Sequence, residues 1–245
     1  MISKKRLVII FVLLSLLAVF YYFFPFSLEH IGYTNKIYAH RVNSKEKLEA
    51  SLLYFKGIEL DLVYDSKKDI LDVNHPPTKS MQLNFNDYLS SLKGEKPRLW
   101  LDIKNLNIDN ALLILNKLQV ILNKLDYNYS NVLVESTRPE SLSIFSKAGF
   151  KTSYYLPPNI YLKSKKEKDS IIQLILGKLN RDNNLGISTN YKDYNLLKDN
   201  FPITTKYIWA LTPRVHLDQL KVRSILKDST VSILIIRFRS IKGNR

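Results

Sequence analysis

The sequence predicts an α/β protein, a closed (β/α)8 TIM barrel preceded by one N-terminal transmembrane helix. Three observations carry that expectation. Eight short apolar runs alternate with helix-like stretches, the pattern of βα units around a parallel sheet. The chain has 245 residues, close to the roughly 250 that one such barrel needs. An uncharged run of 20 residues, Leu7 to Phe26, stands apart near the start. An open doubly wound sheet is the alternative arrangement of the same units. No linker, fixed-period repeat or low-complexity stretch divides the body.

Residues 1–26 form the first unit, read as a signal-anchor. Lys4, Lys5 and Arg6 precede the apolar run, whose length matches the ~20 residues that span a hydrocarbon core as a helix. The run closes on Tyr21, Tyr22, Phe23, Phe24, Pro25 and Phe26, like an interfacial aromatic belt, and no small-residue cleavage site follows. Positive charge ahead of the run keeps the N-terminus in the cytoplasm, so the body, residues 27–245, is expected on the periplasmic or extracellular side.

The strands are expected at Ile37–Arg41, Gly57–Tyr64, Arg98–Lys104, Asn131–Thr137, Lys151–Leu156, Leu185–Asn190, Tyr207–Leu211 and Thr230–Phe238. Each is short and rich in Val, Ile, Leu or Tyr, as strands buried on both faces are. Helices are expected between them at Ser44–Phe55, Phe85–Leu92, Ile108–Leu125, Pro139–Ala148, Lys165–Leu179, Tyr194–Asn200 and Leu217–Leu226. Ser44 reads as a plain N-cap. Asn107 precedes a run with Leu112, Leu115, Leu118 and Leu122 on one face. Lys163–Lys168 reads as a solvated helix start.

Composition narrows the function classes. Net charge is +15, of which the first 26 residues hold only three, so the body attracts anionic partners such as membrane headgroups. No nucleic-acid module is recognisable, so no nucleic acid is expected as a partner. There is no Cys, which excludes disulfides, thiolate metal sites and a Cys nucleophile. Seven Gly and no Gly-rich loop weigh against nucleotide-binding motifs.

In a barrel the active site forms at the C-terminal ends of the strands, and ionisable residues gather there. The first strand ends in His40-Arg41. The second carries Glu59 and Asp61, two carboxylates at i, i+2 on one face of a strand. Such neighbours repel unless a cation or proton intervenes, and a hard divalent ion with oxygen ligands is the natural answer. His75 follows in a loop stiffened by Pro76 and Pro77. The third strand brings Asp102 to the metal site and Lys104 towards a phosphate oxygen. Glu135 and Trp209 stand at the periphery. One histidine as base and the other as acid, with Arg41 and Lys104 on the phosphate, would serve phosphodiester cleavage. His30 and His216 have no such context and read as structural or surface residues. Ser136 has no nearby His-Asp pattern.

His40-Arg41, Glu59-Leu60-Asp61, His75 and Asp102-Ile103-Lys104 together resemble the signature order of the glycerophosphodiester phosphodiesterase-like superfamily, the PLC-like phosphodiesterases. The motifs cover roughly residues 37–105. The resemblance implies His40 and His75 as the acid/base pair, Mg2+ or Ca2+ on Glu59, Asp61 and Asp102, and a phosphodiester or phospholipid-derived substrate. Val42 stands where the family has Gly, Pro76 where it has Asp, and Asp102 where glycerophosphodiester hydrolases mostly have Glu. Asp at that third-strand position is more like the sphingomyelinase D branch, and the segment from Ala39 to Ser44 with His75-Pro76-Pro77 looks like the Menorin-type branch. The expected activity is metal-dependent phosphodiester hydrolysis. A non-catalytic barrel that binds phosphate or lipid is the alternative.

Overall fold

The computed structural model describes residues 3–213 and 216–239, the side chains of residues 18, 20, 22 and 23 also falling outside the description. Eight parallel strands close into a barrel. They are β1 (Ile37–His40), β2 (Gly57–Asp65), β4 (Arg98–Ile103), β5 (Val132–Ser136), β6 (Lys151–Tyr155), β7 (Leu185–Asn190), β8 (Lys206–Ala210) and β9 (Val231–Arg237). Each pairs in parallel with the next around the ring, and β1 shuts it by pairing with β9 on one side and β2 on the other. The open-sheet alternative is thereby excluded. Eight strand-like runs were expected, and all eight build the barrel.

Alternation along the strands separates two cores. Outward residues such as Ile58, Leu60, Leu101, Val134, Ile208 and Leu234 are fully or almost fully buried under the helices. A Leu or Ile buried this way contributes on the order of 1.5–3 kcal/mol. Inward residues form a second cluster of Tyr38, Trp100, Leu133, Tyr207, Trp209, Ile233 and Ile235. Two glycines make room for it. A Cβ on Gly57 would lie 2.4 Å from the Tyr38 ring, and one on Gly186 would lie 2.5 Å from the Tyr207 ring. The aromatic layer fills the barrel, so this is a packed interior and not a pore.

The helices α2 (Lys45–Leu52), α3 (Phe85–Ser90), α4 (Ala111–Lys124), α5 (Ser143–Lys147), α6 (Lys165–Leu179), α7 (Tyr194–Asn200) and α8 (Gln219–Lys227) lie in the expected intervals. Ser44 caps α2 by accepting from the Lys47 N–H. α4 starts later than Asn107 suggests, because the Asn107 carboxamide accepts from the N–H groups of Asp109 and Asn110 and so closes a turn ahead of the helix. Its inner face uses Ala111, Ile114, Leu115, Leu118, Ile121 and Leu122, while Leu112 is exposed.

Two expectations change. Residues 70–73, given neither a strand nor a helix from the sequence, form β3 (Ile70–Val73), which pairs antiparallel with the end of β2. Four residues are too few to announce a strand by period; β2 recruits them because it extends beyond the barrel. The second change concerns the start of the chain. α1 (Lys4–Phe23) is helical as expected, but among the described residues no helix is long and apolar enough to cross a membrane. The expected transmembrane helix is therefore unsupported by the structure.

Candidate active site

The C-terminal mouth of the barrel collects the ionisable residues that the strands carry. On β2, Glu59 and Asp61 both point inward and are buried. β4 pairs with β2 so that Asp102 stands directly beside Asp61. The carboxylates of Glu59, Asp61 and Asp102 each offer an oxygen within 4.8 Å of the others. Three acids this close, out of water, disfavour one another's charge. Burial, then Asp61, pushes the Glu59 carboxyl well above its ordinary range. Burial likewise raises Asp102, although Lys104 opposes it.

Lys104 supplies the nearest positive charge. Its Nζ donates to Asp61 Oδ1 at 2.7 Å and also to Asp102. Burial alone would lower this amine, but Asp102 and Asp61 together hold it above its ordinary value. Asp61 is further fixed by Asn43, whose Nδ2 donates to Oδ2 at 2.7 Å while its Oδ1 accepts from the Asp61 N–H at 3.0 Å. Hard oxygen ligands on adjacent strands suit a divalent cation of the Mg2+ or Ca2+ kind, and the donor set therefore fits one.

The turn after β1 is strained where it meets this cluster. Arg41 has φ 51°, the left-handed region that a non-glycine residue enters only when its surroundings over-determine it. Three contacts do so. The Arg41 N–H donates to Glu59 Oε2 at 2.6 Å. The Lys47 amine donates to the His40 carbonyl at 2.9 Å and to the Arg41 carbonyl at 2.8 Å. Burial brings Lys47 down to about 8, with the Glu59 charge opposing.

His40 ends β1 with its Nε2 3.8 Å from Glu59 Oε2. Burial, then the charges of Arg41 and Lys47, holds its imidazole down to about 3, so it is neutral near pH 7. His75 arrives from the other direction, on the loop that leaves β3. The Arg41 guanidinium, which has no acceptor atoms, donates through Nη2 to His75 Nε2 at 2.6 Å. This leaves the His75 proton on Nδ1. Arg41 also lies 4.0 Å from Asp61, measured from Nε to Oδ2.

The structure thus brings His40, Arg41, Glu59, Asp61, His75, Asp102 and Lys104 to one mouth. Glu135, beside Asp102 in the ladder, is not one of the three clustered acids and accepts from the Ser188 hydroxyl on β7. Burial, then Asp102, raises its carboxyl well above the ordinary range. Trp209 forms the wall across the barrel, its ring 4.4 Å from that of Tyr155. His30 and His216 lie elsewhere. His30 Nδ1 accepts from the Ser27 N–H at 3.0 Å, and His216 Nε2 meets Glu29 at 3.1 Å. Asn43, Lys47 and Ser188 were not singled out from the sequence. The only signal for Asn43 was its place two residues past Arg41, and Lys47 and Ser188 gave none.

Solved structures of glycerophosphodiester phosphodiesterases superpose on this closed α/β barrel. One from Parabacteroides distasonis is 16% identical with a TM-score of 0.54, covering 84% of this chain and 93% of its own. One from Thermotoga maritima is 13% identical with a TM-score of 0.56, covering 82% and 93%. A phosphodiesterase from Oleispira antarctica, solved with the product sn-glycerol-3-phosphate, is 11% identical with a TM-score of 0.55, covering 82% and 92%. No family model matches the sequence, and no curated protein does. At these identities the likeness is one of fold.

Proposed function

We propose that this protein is a metal-dependent phosphodiester hydrolase acting on glycerophosphodiesters or phospholipid headgroups. The observation that carries the reading is the convergence of three carboxylates, two buried and one half-buried, and two imidazoles at one barrel mouth. Glu59, Asp61 and Asp102 would hold a divalent cation, which when bound neutralises charge on a phosphoryl oxygen. Asn43 and Lys104 keep Asp61 aimed at that position. His40, neutral and half-buried beside Glu59, is placed to accept the proton of an attacking hydroxyl. His75 would deliver a proton to the leaving alkoxide, and Arg41 would move from His75 onto the phosphate. Tyr155 and Trp209 give the opposite wall an apolar face for the rest of the substrate. The Oleispira antarctica protein, solved with a glycerol phosphate, supports that substrate class.

The test is hydrolysis of glycerophosphocholine and of bis(p-nitrophenyl) phosphate with Mg2+ or Ca2+. His40→Ala and His75→Ala should each cut kcat by about 10²–10⁴ with the fold retained by circular dichroism. Full turnover in either variant would remove the mechanism. One observation favours the second reading, a non-catalytic phosphate- or lipid-binding barrel: Lys104 already compensates Asp61 and Asp102. That reading expects anion binding and no turnover on any diester.

The body is proposed to work outside the cytoplasm, attached to a membrane through residues 1–26. The apolar side chains of α1 support this, since Leu7, Phe11, Leu14 and Leu17 are more than half exposed against the barrel, and a helix apolar all round needs an apolar cover. Release of the full chain from membranes by alkaline carbonate alone would end that part of the proposal.

A further inference from the structure

The opposite end of the barrel carries a second set of charges that the catalytic mouth does not use. A cavity of about 660 Å³ opens at the N-terminal ends of the strands, within the ~300–1,000 Å³ of ordinary ligand sites. Its lining includes Lys36, Arg98 and Lys151 and not one carboxylate. These residues have a defined place in the fold. Lys36 directly precedes β1, Arg98 opens β4 and Lys151 opens β6, the first, third and fifth strands of the ring. Alternation from the inward Trp100, and the pairing of Lys151 with the inward Leu133, put Arg98 and Lys151 on the inner side of the sheet at its exposed N-terminal end, whereas Lys36 lies in the short turn of helix before β1. A barrel layer is built from alternate strands and is normally filled by bulky apolar residues. Here Arg98 and Lys151, on the third and fifth strands, are cationic, beneath the layer of Tyr38, Trp100 and Tyr207.

The cations are not neutralised by the protein. Among the described residues neither Arg98 nor Lys151 has a salt bridge, and the Lys151 amine is lowered by burial and then by the charge of Arg98. Arg98 lies beside the Tyr38 hydroxyl, whose ionisation its charge favours while burial opposes it. Lys36 is held at the rim by the carbonyls of Leu226 and Asp228, at 3.2 and 3.0 Å. Asp228, whose charge acts on Lys36, has its carboxylate bonded to the Tyr194 hydroxyl at 2.7 Å and to Thr230. Asn184, Thr230 and Tyr207 add neutral donors to the same lining. The Tyr38, Trp100 and Tyr207 layer separates this cavity from the catalytic mouth.

The geometry points to a second ligand site at the N-terminal mouth of the barrel, one that binds a phosphate-bearing anion through Arg98 and Lys151 with Lys36 at its rim. An oxyanion there relieves the repulsion between Arg98 and Lys151 and takes hydrogen bonds in the fork geometry that Arg offers. The same group could be carried by a soluble phosphorylated molecule or by a lipid headgroup. The proposal does not depend on the chemistry at the other mouth.

The experiment is calorimetric titration of the full-length chain with pyrophosphate, at fixed ionic strength and with EDTA present. One saturable site is expected. The variant Arg98→Gln/Lys151→Gln should bind at least about tenfold more weakly with an unchanged circular dichroism spectrum. Arg41→Gln, at the catalytic mouth, should bind as the unaltered chain does. Competition then identifies the source: displacement of pyrophosphate by phosphatidylglycerol–phosphatidylcholine vesicles indicates a headgroup, and persistence indicates a soluble ligand. Either result upholds the site. Absence of saturable binding in the unaltered chain, or equal affinity in the double variant, overturns it.

Discussion

At the scale of single residues, Arg41 has the most to lose and to gain. Its left-handed φ costs of order 1 kcal/mol for a side chain with a Cβ, and glycine pays no such penalty. The Arg41 N–H bond to Glu59 and the two Lys47 bonds are backbone contacts that glycine would keep. The guanidinium contacts with His75 and Asp61 are the part glycine removes, and the Asp61 contact is long. Arg41→Gly should therefore leave stability within about 1 kcal/mol of the natural protein. Diester turnover should fall at least about tenfold, because the phosphate loses its guanidinium and His75 its anchor. Urea denaturation and steady-state kinetics on the same preparation separate the two effects. Equal loss in both would mean that Arg41 is a structural residue only. Glu59 and Asp61 were legible at this scale because a two-residue spacing in a strand fixes their common face. Asn43 and Lys47 were not, because they reach the site from a turn and a helix by side-chain length, which no spacing rule records. Lys104 was read as a phosphate ligand, and in the structure its amine rests on two acids.

At the scale of elements, the eight barrel strands were legible because strands covered on both faces read as unbroken apolar runs. β3 was not, since its Asp72 interrupts a run of only four residues. That omission mattered for the site, because β3 turns the chain back and delivers His75 to Arg41. Helix positions followed from amphipathic spacing, but their first turns depended on capping. α6 shows this most clearly. Ser164 and Glu167 form a reciprocal capping box, the Ser164 hydroxyl facing the Glu167 N–H and the Glu167 carboxylate accepting from the Ser164 N–H at 2.9 Å. The charge run Lys163–Lys168 is thereby a helix start, as its composition suggested. Ser164→Ala should cost about 1 kcal/mol of stability and leave diester hydrolysis untouched, because α6 packs on the outside of the barrel far from the acids. Thermal melts and turnover measured together check both halves. A loss of turnover without a loss of stability would contradict this placement of α6.

At the scale of the whole molecule, the acid triad couples stability to cation binding. Folding gathers Glu59, Asp61 and Asp102 from two strands, so the unfolded chain has no equivalent site and a bound ion stabilises only the folded state. At a concentration near 100 times its Kd, Mg2+ or Ca2+ should add about 2.7 kcal/mol, which for a chain of this size raises Tm by roughly 5–11 °C. Lys104 sets how large the effect can be, since its ammonium competes with the ion for Asp61 and Asp102. Lys104→Met retains the length of the stem and removes the charge, leaving buried carboxylates with less compensation. In EDTA this variant should therefore lose about 3 kcal/mol or more. A divalent ion, no longer opposed by an ammonium, should restore most of that loss and shift Tm further than it does in the natural protein. Differential scanning calorimetry of both proteins, with EDTA and then with excess Ca2+, reads the four values. If the ion moves neither protein, the triad is not a metal site, and its acids are held by Lys104 and by protons alone.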